Sequence, residues 1–140
     1  MRAQTFFCAW PVLLAACAVS AQAPAHSQEI ASSDTYRGMA PPDQTFANPL
    51  SVAQAFTGGY SSSAEVGPVI KVRVDPHPDS DGRAIVTASA EPLLDDSIKA
   101  EEWVAIIVPE DGRWRVETLA IRFKCWRATE RDKWTTDLCP

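Results

Sequence analysis

Four cysteines, two histidines and several short acidic runs are the residues of this 140-residue chain whose types could do chemistry. Cys8 and Cys17 lie in an apolar leader, while Cys125 and Cys139 close the last stretch before Pro140. The second pair reads as a structural disulfide. A bridge there closes a loop of about 15 residues, worth on the order of 3 kcal/mol in the chain-entropy model. Redox-active pairs usually stand two residues apart beside a helix N-terminus, and two cysteines without clustered histidines make a poor zinc site. His26 and His77 fall in an N-terminal arm and a proline-rich turn, where no rigid element places them. Ser62, Ser63 and Ser97 lack the surroundings of an activated nucleophile. Asp95 and Asp96 are adjacent, so their carboxylates point apart, and a bend accounts for them. The acids of Asp75 to Gly82 alternate, but they miss the EF-hand register and have no Glu at the twelfth position. That segment reads as a solvated turn. The expectation is a protein with no catalytic residue, no cofactor and no metal, and hence not an enzyme.

The chain holds five tryptophans, a residue type enriched at binding hot spots. Trp103 and Trp114 sit in apolar runs and read as core or sheet-face residues. Trp126 and Trp134 stand among Arg127, Arg131 and Lys133 inside the disulfide loop, so Trp126, Arg127, Arg131 and Trp134 are the candidate partner-binding residues. Their competing role is to cover the bridge and the sheet edge.

Charge divides the same way. Ten acids lie between Asp75 and Asp111, and seven bases between Arg113 and Lys133. Cross-strand pairing inside one sheet explains that division without an anionic partner. The formal net charge of −5 argues against nucleic-acid binding.

The leader carries Arg2 and then an apolar run from Phe6 to Ala16. The run has the length of a signal-peptide core and is too short to span a bilayer. A signal peptide over residues 1–23 is expected, and an exported chain, periplasmic or secreted. The alternative is a lipoprotein signal over 1–16, because Leu14-Ala15-Ala16-Cys17 resembles a lipobox and would leave Cys17 acylated and membrane-anchored. Either route disposes of Cys8 and the Cys17 thiol together. No later stretch is apolar enough for a transmembrane helix.

Three segments are expected: the leader, a flexible arm over 24–47, and a single domain over 48–140. Asn48-Pro49 supplies a helix cap and a first-turn proline. Leu50, Ala53 and Phe56 then share a face, and Gly58-Gly59 marks the stop. Four strands are predicted over Val69–Val74, Arg83–Ala90, Ile98–Val108 and Trp114–Cys125, with Asp95 to Glu102 also compatible with a helical turn. Ala84, Val86, Ala88 and Ala90 would let the helix approach the sheet closely. Asp111-Gly112 is a hairpin signal. The apolar parity changes between Trp114/Val116 and Leu119/Ile121/Phe123, which predicts a β-bulge near Glu117-Thr118. The fold class is α+β: a meander of about four antiparallel strands with one short N-terminal helix.

The tail Trp114-Arg115-Val116 … Lys124-Cys125-Trp126-Arg127 … Trp134 … Leu138-Cys139 resembles the ends of small exported bacterial proteins of unknown function. That resemblance covers the last third of the chain and implies export and the bridge, with no activity. The helix-then-sheet order is similar to cystatin-like and nuclear-transport-factor-like folds, although the cone-shaped pocket of the latter needs more helices than the one found here. The expected function is a non-catalytic envelope domain that binds an unidentified partner. The alternative is a small-molecule-binding or inhibitor module that uses the sheet face under the helix.

Overall fold

The computed structural model describes residues 34–60, 67–79 and 82–140. The leader, with Cys8, Cys17 and both processing sites, lies outside the described residues, as do His26, Ser62, Ser63 and Asp81. Among the described residues no helix is long and apolar enough to cross a membrane.

The chain builds β1 (Arg37–Met39), β2 (Thr45–Phe46), α1 (Pro49–Thr57), β3 (Val69–Pro76), β4 (Ala84–Glu91), β5 (Ile98–Glu110) and β6 (Arg113–Cys125). A 3-10 turn, Gly58–Tyr60, follows the helix. The sheet is antiparallel throughout, in the order β1-β6-β5-β4-β3, with β2 also on the outer edge of β6. The expected meander is therefore the middle of a larger sheet. Six strands replace four, because two short segments of the supposed arm add to β6. Tyr36 and Phe46 are buried there, so part of the segment expected as an arm packs on the sheet.

The helix starts where its cap dictates. Asn48 Oδ1 accepts a hydrogen bond from the Ser51 backbone N–H at 2.9 Å, and Pro49 occupies the first turn. The buried face differs from the expected one: Val52, Ala53 and Thr57 are fully buried and Phe56 partly so, while Leu50 points outward at 57% exposure. Gly58 ends the helix in an ordinary right-handed conformation, and the chain tightens into the 3-10 turn.

Alanines on β4 bring the helix close. Val52, Ala53 and Phe56 pack with Ala84, Val86, Ala88, Ala105, Ile107, Val116 and Leu119 in the main core. A smaller cluster of Tyr36, Ile85, Val104 and Ala120 lies on the other face. Asp111 and Gly112 both adopt positive φ (49° and 74°) at the β5–β6 hairpin, the turn that suits right-twisted strands.

The bulge falls where the parity change placed it. Ile106 pairs with Thr118 and Ile107 with Val116, so Glu117 is the extra residue. That one insertion keeps Trp114, Val116, Leu119, Ile121 and Phe123 on the helix side of the sheet. A second irregularity leaves Lys99 unpaired between Ile98 and Ala100.

Candidate binding face

Helix α1 lies over the β3–β4 half of the sheet. The β5–β6 half of the same face extends beyond it, toward Glu101, Trp103, Ile121 and Phe123. Pairing fixes these four side chains together: Glu101 faces Phe123 across the ladder, and Trp103 faces Ile121. Phe56 reaches out from α1 and stacks on Trp103, with ring centroids 5.3 Å apart and planes 16° from parallel. The Trp103 indole N–H is buried without a hydrogen-bond partner among the described residues.

Two clefts open here, and Glu101 borders both. One, of about 310 Å³, is lined by Gly59, Tyr60, Gly67, Pro68, Leu93, Leu94, Asp95, Ile98 and Glu101. The other, of about 290 Å³, is lined by Arg37, Met39, Glu101, Trp103, Ile121, Phe123 and Leu138. Either volume lies at the lower end of what small organic ligands occupy. Leu94 stands at the rim of the first at 77% exposure.

Glu101 is only 9% exposed. Its Oε2 accepts a hydrogen bond from the Tyr60 hydroxyl at 2.5 Å, and among the described residues no basic side chain pairs with it. Burial pushes the Tyr60 phenol above its ordinary pKa, and the bond to Glu101 and the charges of Glu101 and Asp95 push it further. Asp95 is held in place differently. Its Oδ1 accepts from the backbone N–H groups of Ile98 and Ser97, both at 2.7 Å, and from the Ser97 hydroxyl at 3.0 Å. Those bonds, led by Ile98, lower the Asp95 pKa and keep it ionised.

The opposite face is neutralised internally. Arg122 bonds Glu102 Oε1 through Nε at 2.8 Å and Nη2 at 2.7 Å, and the Tyr36 hydroxyl donates to the same oxygen at 2.7 Å. The Arg122 guanidinium lies between the rings of Tyr36 and Trp134, 4.5 and 4.9 Å from their centroids. Lys124 sits 4.8 Å from the Trp134 ring and 3.0 Å from a Glu91 oxygen.

These contacts locate the residues singled out in the sequence. Cys125 and Cys139 form a disulfide, and the chain between them folds back so that Thr135 pairs with Phe123 on the β6 edge. Trp134 covers Arg122 and Lys124, and Trp126 receives Lys99 at 5.5 Å. Both rings therefore already stack on cations of the protein itself. Arg127 is exposed and pairs with Asp96 at 3.1 Å, and Arg131, four residues further on, is exposed as well. His77 lies in the β3–β4 turn, where its Nδ1 accepts from the Asp79 backbone N–H at 3.3 Å. The rungs from Ala84↔Ile107 to Ala90↔Glu101 separate that turn from Asp95 and Glu101 by roughly 20 Å of strand. His77 and Asp95 are not brought together. The described residues contain no group of three or more His, Cys, Asp or Glu side chains placed to hold a metal.

Sequence reasoning missed Glu101 and Tyr60. The available signal was parity: Glu101 shares the phase of Trp103, Ala105 and Ile107, which marks an acid on an apolar face. No protein-family model matches the chain, and no curated protein or solved structure is significantly similar to it.

Proposed function

We propose that this protein is an exported, non-catalytic binding domain that takes a small apolar ligand on the helix side of its sheet, where β5 and β6 extend past α1. The observation that carries the reading is the pair of clefts that meet at Glu101. Apolar walls from Leu93, Leu94, Ile98, Ile121 and Phe123 surround one buried carboxylate, the usual make-up of a small-molecule site. The tail loop is the weaker candidate, since Trp126 and Trp134 stack on internal cations. Export is supported by the apolar leader and by a disulfide in a domain this small.

The test is a titration with hexanol, a neutral apolar probe, followed by amide and indole NMR shifts. Saturable shifts at Leu94, Trp103, Glu101 and Ile121 are the expected result. No shift, or shifts centred on the Trp126–Trp134 loop, would move the site elsewhere.

A further inference from the structure

We infer that the Glu101 cleft selects an organic ammonium: a small molecule with an apolar body and a protonated primary amine that pairs with the Glu101 carboxylate. The inference rests on the binding reading above and names its ligand class.

The electrostatics separate the two clefts, since Arg37 lines the one beside Trp103 and not the one beside Tyr60. Among the described residues, the cleft beside Tyr60 is lined by two carboxylates, Glu101 and Asp95, and by no basic residue, while Pro68, Leu93, Leu94 and Ile98 supply its apolar surface. Burying a carboxylate without a counter-ion is costly. Glu102, the next residue, meets that cost with Arg122. Glu101 has the Tyr60 hydroxyl on Oε2, and among the described residues no donor bonds Oε1. A primary ammonium carries three donors and a full positive charge. One N–H on Oε1 would complete the carboxylate, and the alkyl portion would lie against Leu93, Leu94 and Ile98.

The same group discriminates. A neutral alcohol of equal length keeps the apolar contact and can donate one hydrogen bond to the carboxylate but brings no positive charge, and a carboxylate of equal length would meet Glu101 with like charge. The ammonium adds the attraction of opposite charges to its hydrogen bond, and the low-dielectric surroundings of a buried acid enlarge that difference.

The experiment compares hexylamine, hexanol and hexanoate on the full chain at pH 7, by calorimetry and amide NMR. Hexylamine is expected to bind at least ten-fold more tightly than hexanol and hexanoate not at all, with shifts centred on Tyr60, Leu94 and Glu101. Glu101→Gln keeps an acceptor for Tyr60 and should reduce hexylamine to the affinity of hexanol. Equal affinities of amine and alcohol in the unaltered chain would overturn the inference and leave the apolar site standing. Amine shifts scattered over the acidic surface, with none at Glu101, would overturn it too. Absence of binding by both probes would remove the binding reading itself. The comparison in the unaltered chain stands even if Glu101→Gln fails to fold.

Discussion

Glu101 and Glu102 are neighbours on β5 that point to opposite faces of the sheet, and among the described residues only Glu102 pairs with a guanidinium. Both side chains are buried, yet the same conservative change should give unequal losses. Glu102→Gln leaves Arg122 charged, enclosed between two aromatic rings and without the Glu102 carboxylate. Breaking one partner out of such a pair costs about 3–5 kcal/mol. Glu101→Gln removes a charge that has no basic partner and keeps an acceptor for Tyr60, so its cost should stay within about 1 kcal/mol. Urea denaturation of the two variants measures this. Similar losses for both would mean that Arg122 does not depend on Glu102.

Stability should fall in alkali through Tyr60. Its folded-state pKa is raised, so the folded chain holds the phenolic proton more tightly than the unfolded chain does. The stabilisation is fully present below the unfolded value of about 10, and is lost as pH rises from there toward the folded value. The chain has two tyrosines, Tyr36 and Tyr60. In ring-carbon NMR, the signal that Tyr60→Phe removes should remain unshifted at a pH where a free tyrosine is already half ionised. A midpoint at the ordinary value would contradict the burial of this hydroxyl against Glu101.

The acid limb has its own residues. Asp132 is held below its ordinary pKa by the hydrogen bond from Lys99 and then by the Lys99 charge, and Asp95 by the backbone of Ile98 and Ser97. Each depressed carboxylate adds stability above its unfolded value near 3.8, which is lost as pH falls through the lower folded value. Asp132→Asn and Asp95→Asn should both flatten the loss of stability below about pH 4. Added salt should erase the Asp132 part first, because that ion pair is largely solvated. The Asp95 part rests on short-range backbone bonds and should persist. Acid unfolding curves at low and high salt separate the two.

What the sequence made legible was local or periodic. Asn48-Pro49 and Asp111-Gly112 announce their structures through backbone chemistry that neighbours cannot easily override. The bulge at Glu117 was readable because five apolar residues on β6 must face one core, and only an inserted residue reconciles their spacing. Periodicity left two faces open on a nine-residue helix, and β4 selected Val52 over Leu50. The strands β1 and β2 hold three and two residues, too few for any period, and their order comes from the edge of β6. The Glu101 cleft depends on a contact between residues 41 positions apart, which no local pattern encodes.

The stack of Phe56 on Trp103 ties the helix to the unroofed half of the sheet. Phe56→Ala should cost about 2–3 kcal/mol, less than the ~3–5 of a fully buried phenylalanine because one edge of the ring is open. Trp103 fluorescence should also shift to the red as water reaches the indole. A loss below about 0.5 kcal/mol with unchanged emission would show that the helix is held by Val52 and Ala53 alone.

The disulfide secures the cover that Trp134 places over Arg122 and Lys124. Replacing Cys125 and Cys139 together by serine should cost about 3 kcal/mol, the loop-closure value for a ring of this length. It should also release the Thr135 pairing at Phe123, seen as faster amide exchange at both positions. Trp134→Ala, with the bridge intact, removes the aromatic surface without lengthening the unfolded chain. If bridging acts only through chain entropy, the two changes are additive. If the bridge acts by holding Trp134 on the guanidinium, the combined variant loses less than the sum, because Trp134 is already displaced once the bridge is gone. The packing of Trp134 over two cations predicts the second outcome, with a coupling of about 1 kcal/mol in a double-mutant cycle. Strict additivity would show that the loop closes the sheet edge without needing its tryptophan.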